Sequence, residues 1–252
     1  MLPAAGARTY RSVSDRSRSA YGPASASYPP APWQLRGWGV ATVQTVDVRA
    51  ARRFVPRDCR IVAVAPGRTL GGLMFVSYES GSTLVYRELT VAAALVRIGK
   101  RLAFYLPRLY VDSAASLAGG RAIWGVPKEM ATFDVTTSDV LRTIVVRSGG
   151  GEVCRIAAAV AKRGLRLTLP MPAFGTRPDS LLFFAGRLDA RFAFIRASVE
   201  LPRDGEFAAL SLDRPRFAVS VDEFVLRVPI PIAIPRLSLR AAFAREPVIE
   251  AG

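Results

Sequence analysis

Histidine is absent from this chain, and cysteine and lysine are scarce. Without histidine, neither a Ser-His-Asp nor a Cys-His nucleophile can be built in its usual form. Zinc sets that mix His with Cys are excluded as well. The two cysteines, Cys59 and Cys154, belong to no Cys-x-x-Cys pair, so two buried, reduced thiols are expected and no metal. No apolar run approaches the roughly 18 residues of a spanning helix; Val91 to Ile98 is apolar but short and contains Arg97. The N-terminus lacks a compact hydrophobic region followed by a small-residue cleavage site. A cytoplasmic protein without a membrane segment is therefore expected. All but three of the 35 basic residues are arginines, the exceptions being Lys100, Lys128 and Lys162. A guanidinium stays protonated, so any amine chemistry falls to these three side chains.

The chain has 252 residues, half of them apolar, which suits one large domain with a substantial core. Its formal charge of +15 comes from arginines scattered along apolar segments. Nucleic-acid binders instead gather basic residues into a block, or a stripe interleaved with aromatics, so nucleic acid is not an expected partner. A positive field does suit the attraction of a small anionic substrate. Residues 1–31, rich in Ser, Ala, Arg, Pro and Tyr, are expected to form a disordered basic extension, and 32–252 a single domain.

Strand signals dominate that domain. Val40 to Val46 mixes Val and Thr. Asp47 is placed to cap a short helix with Val48, Ala51, Phe54 and Val55 on its apolar side, ended by Pro56. Leu73 to Tyr78 and Thr83 to Tyr86 flank the turn-like Glu79-Ser80-Gly81-Ser82. Phe133 to Thr137 and Val140 to Arg147 flank Ser138-Asp139 as in a hairpin. Leu165, Leu167 and Leu169 keep period two, as do Leu188, Ala190, Phe192 and Phe194, which predicts strands with one buried face. Val91 to Ile98 and Asp112 to Gly119 are the remaining helix candidates. The expected class is mainly β, a barrel or two packed sheets with few helices.

The run Gly119-Gly120-Arg121-Ala122-Ile123-Trp124-Gly125-Val126-Pro127-Lys128-Glu129-Met130 brings a lysine to the end of a rigid Gly-Val-Pro approach. An amine attacks a carbonyl only when neutral, and an unperturbed lysine, with a pKa of about 10.4, is almost wholly charged near neutrality. Burial in an apolar pocket disfavours the ammonium. Trp124, Val126 and Met130 are candidate walls of such a pocket. By itself a Pro-Lys-Glu triplet is an ordinary solvated turn.

Gly-Arg-x-x-x-Gly-x-Pro-Lys resembles the Schiff-base segment of the acetoacetate decarboxylases. Arg36, within Gln34-Leu35-Arg36-Gly37, stands where that family carries an arginine before its first long strand. Tyr78-Glu79-Ser80-Gly81 resembles its Glu-Ser-Gly turn, and the Asp47 helix ending at Val55-Pro56 has a counterpart too. The resemblance covers about 32 to 230. It implies a cone or barrel of antiparallel sheet around a closed pocket, with few short helices, in a homo-oligomer. It implies Lys128 as the imine-forming nucleophile, with a desolvation activation for which acetoacetate decarboxylase is itself the standard instance. It implies Arg36 and Glu79 as its catalytic partners and Arg121 as a residue that positions the loop or binds substrate. No cofactor is implied, because the iminium is the electron sink. The implied reaction is decarboxylation of a small anionic β-keto acid. Aldol condensation with dehydration, or carbonyl binding without turnover, stay open as alternatives. Two positions depart from the family pattern: Glu129 replaces a second lysine, and Ala122 an acidic residue. On an extended segment Glu129 would point away from its neighbour Lys128.

Overall fold

The computed structural model describes residues 27–236, so most of the expected extension over 1–31 lies outside the described residues. The strands are β1 (Trp33–Asp47), β2 (Arg60–Ile61), β3 (Arg68–Tyr78), β4 (Tyr86–Ala92), β5 (Ala94–Ile98), β6 (Arg101–Tyr105), β7 (Arg108–Val111), β8 (Lys128–Met130), β9 (Thr132–Thr137), β10 (Leu141–Ser148), β11 (Gly151–Ala159), β12 (Leu165–Thr176), β13 (Ser180–Ile195), β14 (Ala197–Glu200), β15 (Phe217–Val228) and β16 (Ile232–Pro235). Among the described residues the helical elements are α1 (Val48–Arg52), α2 (Ala114–Gly119), a π-turn over Gly120–Trp124 and one short 3-10 turn. The β-rich expectation holds.

Local chemistry explains the element ends. Asp47 caps α1 by accepting hydrogen bonds from the amides of Arg49 (2.8 Å) and Ala50 (3.1 Å), satisfying N–H groups that an open helix start leaves unpaired. Glu79 to Ser82 form the turn after β3, closed by the Ser82 amide on the Glu79 carbonyl at 3.1 Å. Val91 to Ile98, expected as a helix candidate, is instead the end of β4 and all of β5. Its period is two: Ala94, Val96 and Ile98 are buried on one side while Arg97 is exposed on the other, a pattern no helix face can satisfy.

Twelve strands form one sheet in the order β2-β5-β6-β12-β13-β15-β1-β3-β4-β7-β8, with β16 added beside β13. A second sheet runs β14-β11-β10-β9. The large sheet does not close into a barrel. Its end strands, β2 and β8, are two and three residues long, and each hydrogen-bonds to one neighbour and not to the other end strand. The sheet nevertheless wraps far enough that Met171 of β12 and Lys128 of β8 line one cavity.

The central strands are covered on both faces. On β3, Leu73 and Phe75 pack in one core with Phe133, Ile144 and Ile156 of the small sheet. Val76 and Tyr78 pack in the other, with Trp33, Leu35, Tyr86 and Trp124. Burial on both sides accounts for the near-continuous apolar run there. The leucines of β12 are different. Leu165, Leu167 and Leu169 are 73%, 45% and 40% exposed, although their alternation predicts a buried face. The strand pairs with β6 only at Ala173 and Phe174, and among the described residues no layer covers its first half, which is exposed from Leu165 to Pro170.

Candidate active site

Lys128 opens β8, which lies parallel to β7 and pairs Leu109 with Lys128. The residue is buried, at 4% exposure, whereas Lys100 and Lys162 are exposed. The turn before it is built to hold this position. The π-turn ends at Gly125, whose φ of 63° is the left-handed conformation that glycine adopts without strain. Arg121 reaches back from the turn and donates from Nε and Nη2 to the Lys128 carbonyl at 2.9 and 2.5 Å. A side chain on Gly120 would put a Cβ 2.5 Å from Cδ and Cε of Lys128. The bare Gly120 backbone is thus the floor along which the lysine stem lies.

The amine points into a polar cluster at the wall of an apolar cavity. Its Nζ donates to Glu88 Oε2 at 2.6 Å, Ser116 Oγ at 2.8 Å and the Tyr86 phenol oxygen at 3.4 Å. These three acceptors match the three donors of an ammonium. Glu88 also accepts from Tyr78, Tyr86 and Thr90 at 3.3, 3.4 and 3.4 Å. Burial, reinforced by the charge of Glu88, pushes the phenols of Tyr78 and Tyr86 well above their ordinary pKa. Both therefore remain protonated donors around the carboxylate. The cavity has a volume of about 300 Å³. Trp33, Leu35, Leu73, Met74, Val76, Leu109, Trp124, Val126, Met171, Phe184 and Leu226 are among the residues lining it. Among the described residues, Lys128 and Glu88 are its charged lining residues, and no arginine lines it.

Of the residues singled out in the sequence, Trp124 and Val126 line the cavity beside Lys128. Trp124 is held by its indole N–H, which donates to the Pro229 carbonyl at 2.8 Å, and by an edge-on contact with Trp33 at 4.7 Å. Arg121 touches the backbone of Lys128 rather than the cavity. Met130 is 44% exposed and does not line it. Two strand steps beyond Lys128, about 6.6 Å, carry it past the cavity. Arg36 and Glu79 are not brought to the amine; both are exposed. Trp33 and Leu35 line the cavity, so alternation along β1 turns Arg36 to the opposite side, while Glu79 lies past the end of β3, in the turn that follows it. The two meet instead through the backbone, the Glu79 amide donating to the Arg36 carbonyl at 2.8 Å. Glu129 turns away from Lys128, accepting from Arg108 at 2.9 Å and Ser148 at 2.8 Å.

The acid that does reach the amine, Glu88, was not singled out, nor were Ser116, Tyr86, Tyr78 and Thr90. A signal for three of them exists. Tyr86-x-Glu88-x-Thr90 places polar groups on one face of an otherwise apolar strand, where an unpaired acid would be costly.

Residues 15–179, more than half of the chain, match the family described as "Acetoacetate decarboxylase (ADC)". The chain belongs to the acetoacetate decarboxylase family. Acetoacetate decarboxylase from Legionella pneumophila superposes with a TM-score of 0.67 at 16% identity, covering 92% of this chain and 99% of that one. The enduracididine biosynthesis enzyme MppR, with HEPES buffer bound, superposes with a TM-score of 0.60 at 16% identity, covering 86% and 99%. At such identities the matches show the shared fold alone. Among curated proteins, Protein NEOXANTHIN-DEFICIENT 1 of Oryza sativa subsp. japonica is 36% identical over 111 residues, 44% of this chain and 36% of that protein. The Solanum lycopersicum protein of the same name is 32% identical over 109 residues, 43% and 37%. The matched stretch thus spans little more than a third of those relatives. Among the described residues no helix is long and apolar enough to cross a membrane, which says nothing of crossing by strands.

Proposed function

We propose that this member of the acetoacetate decarboxylase family is a Schiff-base-forming decarboxylase of a β-keto acid, with Lys128 as nucleophile and Glu88 as its proton partner. The observation that carries this reading is a single buried amine, 2.6 Å from a carboxylate, at the wall of an apolar cavity.

The chemistry follows from the contacts. A proton crosses from Nζ of Lys128 to Glu88, and the neutral amine adds to the ketone carbon. Water leaves and an iminium remains, its nitrogen one bond from the carbon that bears the carboxylmethylene. The carbon–carbon bond to the carboxylate breaks, and its electron pair moves through the new carbon–carbon double bond to the nitrogen. Carbon dioxide departs and a neutral enamine is left. The enamine carbon takes a proton, and water hydrolyses the resulting iminium to release the ketone and the lysine.

The apolar lining favours this step. The substrate bears a carboxylate and a positive nitrogen, whereas its products are neutral, and an apolar environment disfavours separated charge. Ser116 and Tyr86, which accept from Nζ at 2.8 and 3.4 Å, hold the amine in place and stand beside the departing hydroxyl of the carbinolamine.

Aldol condensation through the same iminium shares the early steps and is separated by the fate of the carboxylate. The test is carbon dioxide release from a β-keto acid, together with inactivation by borohydride that requires the acid to be present. Both are expected. Keto-acid-dependent inactivation without gas release would point to condensation instead, and protection from borohydride with no turnover would overturn the Schiff-base reading.

A further inference from the structure

Resting on Lys128 as the imine-forming residue, we infer that the site takes a β-keto acid with an apolar chain of medium length, and that acetoacetate is a poor fit. The first ground is charge. Among the described residues no arginine lines the cavity, and Lys128 and Glu88 already pair with each other. A small anion entering this space would lose its hydration and meet no guanidinium fork in return. Its carboxylate is compensated only once the iminium has formed, so binding before that step must come from apolar contact.

The second ground is size. At about 30 Å³ per water-sized group, a cavity of about 300 Å³ takes on the order of ten non-hydrogen atoms. Acetoacetate would leave part of that space unfilled, and unfilled apolar space forfeits contact energy.

The third ground is shape. Tyr86, Glu88, Thr90 and Ala92 all line the cavity from one face of β4. Ala92 lies four residues beyond Glu88, about 13 Å along the strand. It pairs with Gly72, which also lines the cavity. The end remote from the amine is therefore formed by small residues, and an alkyl chain extending from the imine carbon has room to run toward them.

The test is a chain-length series: acetoacetate, 3-oxohexanoate and 3-oxooctanoate, with kcat/KM from carbon dioxide release and borohydride adducts located by peptide mass mapping. Each added methylene is expected to raise kcat/KM about fourfold, the equivalent of about 0.8 kcal/mol per buried CH₂, until the cavity is full. Ala92→Leu, which fills the remote end, is expected to lower the ratio of 3-oxooctanoate to acetoacetate kcat/KM at least about tenfold. Its melting curve establishes that the variant is folded. Lys128 adducts with every acid but no preference for the longer chain would overturn the inference and leave the Schiff-base reading standing. An unchanged ratio in the folded Ala92→Leu variant would overturn the assignment of the chain end. Absence of a Lys128 adduct with any acid would overturn the reading on which the inference rests.

Discussion

Glu88 and Lys128 hold each other in a space where either charge alone would be expensive. Their side chains are 9% and 5% exposed, and removing one partner of such a buried pair commonly costs about 3–5 kcal/mol. The phenols of Tyr78 and Tyr86, kept protonated by burial, spread the acid's charge over further donors. Lys128→Arg retains the charge but loses the nucleophile; turnover should fall by about three orders of magnitude or more, measured as carbon dioxide release on a folded variant. Exposed Arg36 and Glu79 lead to the opposite expectation. Arg36→Ala and Glu79→Ala should leave kcat/KM within about twofold of the parent and stability within about 0.5 kcal/mol; a hundredfold loss in either would place that residue in the chemistry. The lysine was legible in the sequence because it is scarce and sits in an unusual Gly-Arg-to-Pro-Lys run. Its acid partner was not, because which of Glu79 and Glu88 reaches the amine depends on where β3 ends and how β4 and β8 are placed in the sheet. Glu79 falls in the exposed turn after β3, whereas Glu88 lies inside β4 and meets the amine at 2.6 Å.

At the scale of elements, the π-turn and β8 act as a clamp on the lysine backbone. Arg121 fixes the carbonyl, and Gly120 gives the stem its channel. Gly120→Ala should push the stem aside without unfolding the chain. A displacement of about 1 Å can cost on the order of a hundredfold in rate, so kcat should fall by about tenfold to a hundredfold while the melting temperature moves little. Parent-like kcat in Gly120→Ala would show that the stem has slack. Local turn chemistry made much of this level readable in advance: the Asp47 cap, the Glu79–Ser82 turn and the hairpin of β9 and β10 follow from short-range hydrogen bonding. Val91 to Ile98 was harder, since a short apolar run serves helix and strand alike and only its neighbours in the sheet decide. The exposed leucines of β12 could not be foreseen either, because alternation shows that a strand has two faces, not that anything covers one of them.

At the scale of the molecule, the described residues form two sheets joined across a shared core. A buried ion pair ties them: Arg142 of β10 donates to Asp222 of β15 at 2.8 Å, and its guanidinium lies 4.1 Å from the Trp38 ring centroid on β1. Asp222→Ala strands the arginine and should lower unfolding free energy by about 3–5 kcal/mol in urea titration; a loss below about 1 kcal/mol would mean the sheets are held without it. Both cysteines are unpaired and buried, and desolvation pushes their thiols up to about 12. An unfolded chain releases these protons at lower pH, from near 9.0, so the folded state binds more protons through that interval. Stability should therefore be flat with respect to the thiols below about pH 9 and fall as pH rises toward 12, read as melting temperature against pH. At about pH 8 neither thiol of the folded protein should react with a disulfide reagent. That the large sheet stays open lay beyond sequence reading, since it depends on end strands whose pairing is set by the whole path from β2 to β8.

Reductive trapping at a named lysine tests the central claim most directly. The protein is incubated with 3-oxooctanoate and borohydride, digested, and its peptides mapped by mass. The expected result is one alkylated lysine, Lys128, with Lys100 and Lys162 unmodified and no adduct in Lys128→Arg. Labelling of Lys100 or Lys162 with Lys128 untouched, or no adduct at all while carbon dioxide is released, would contradict imine formation at Lys128.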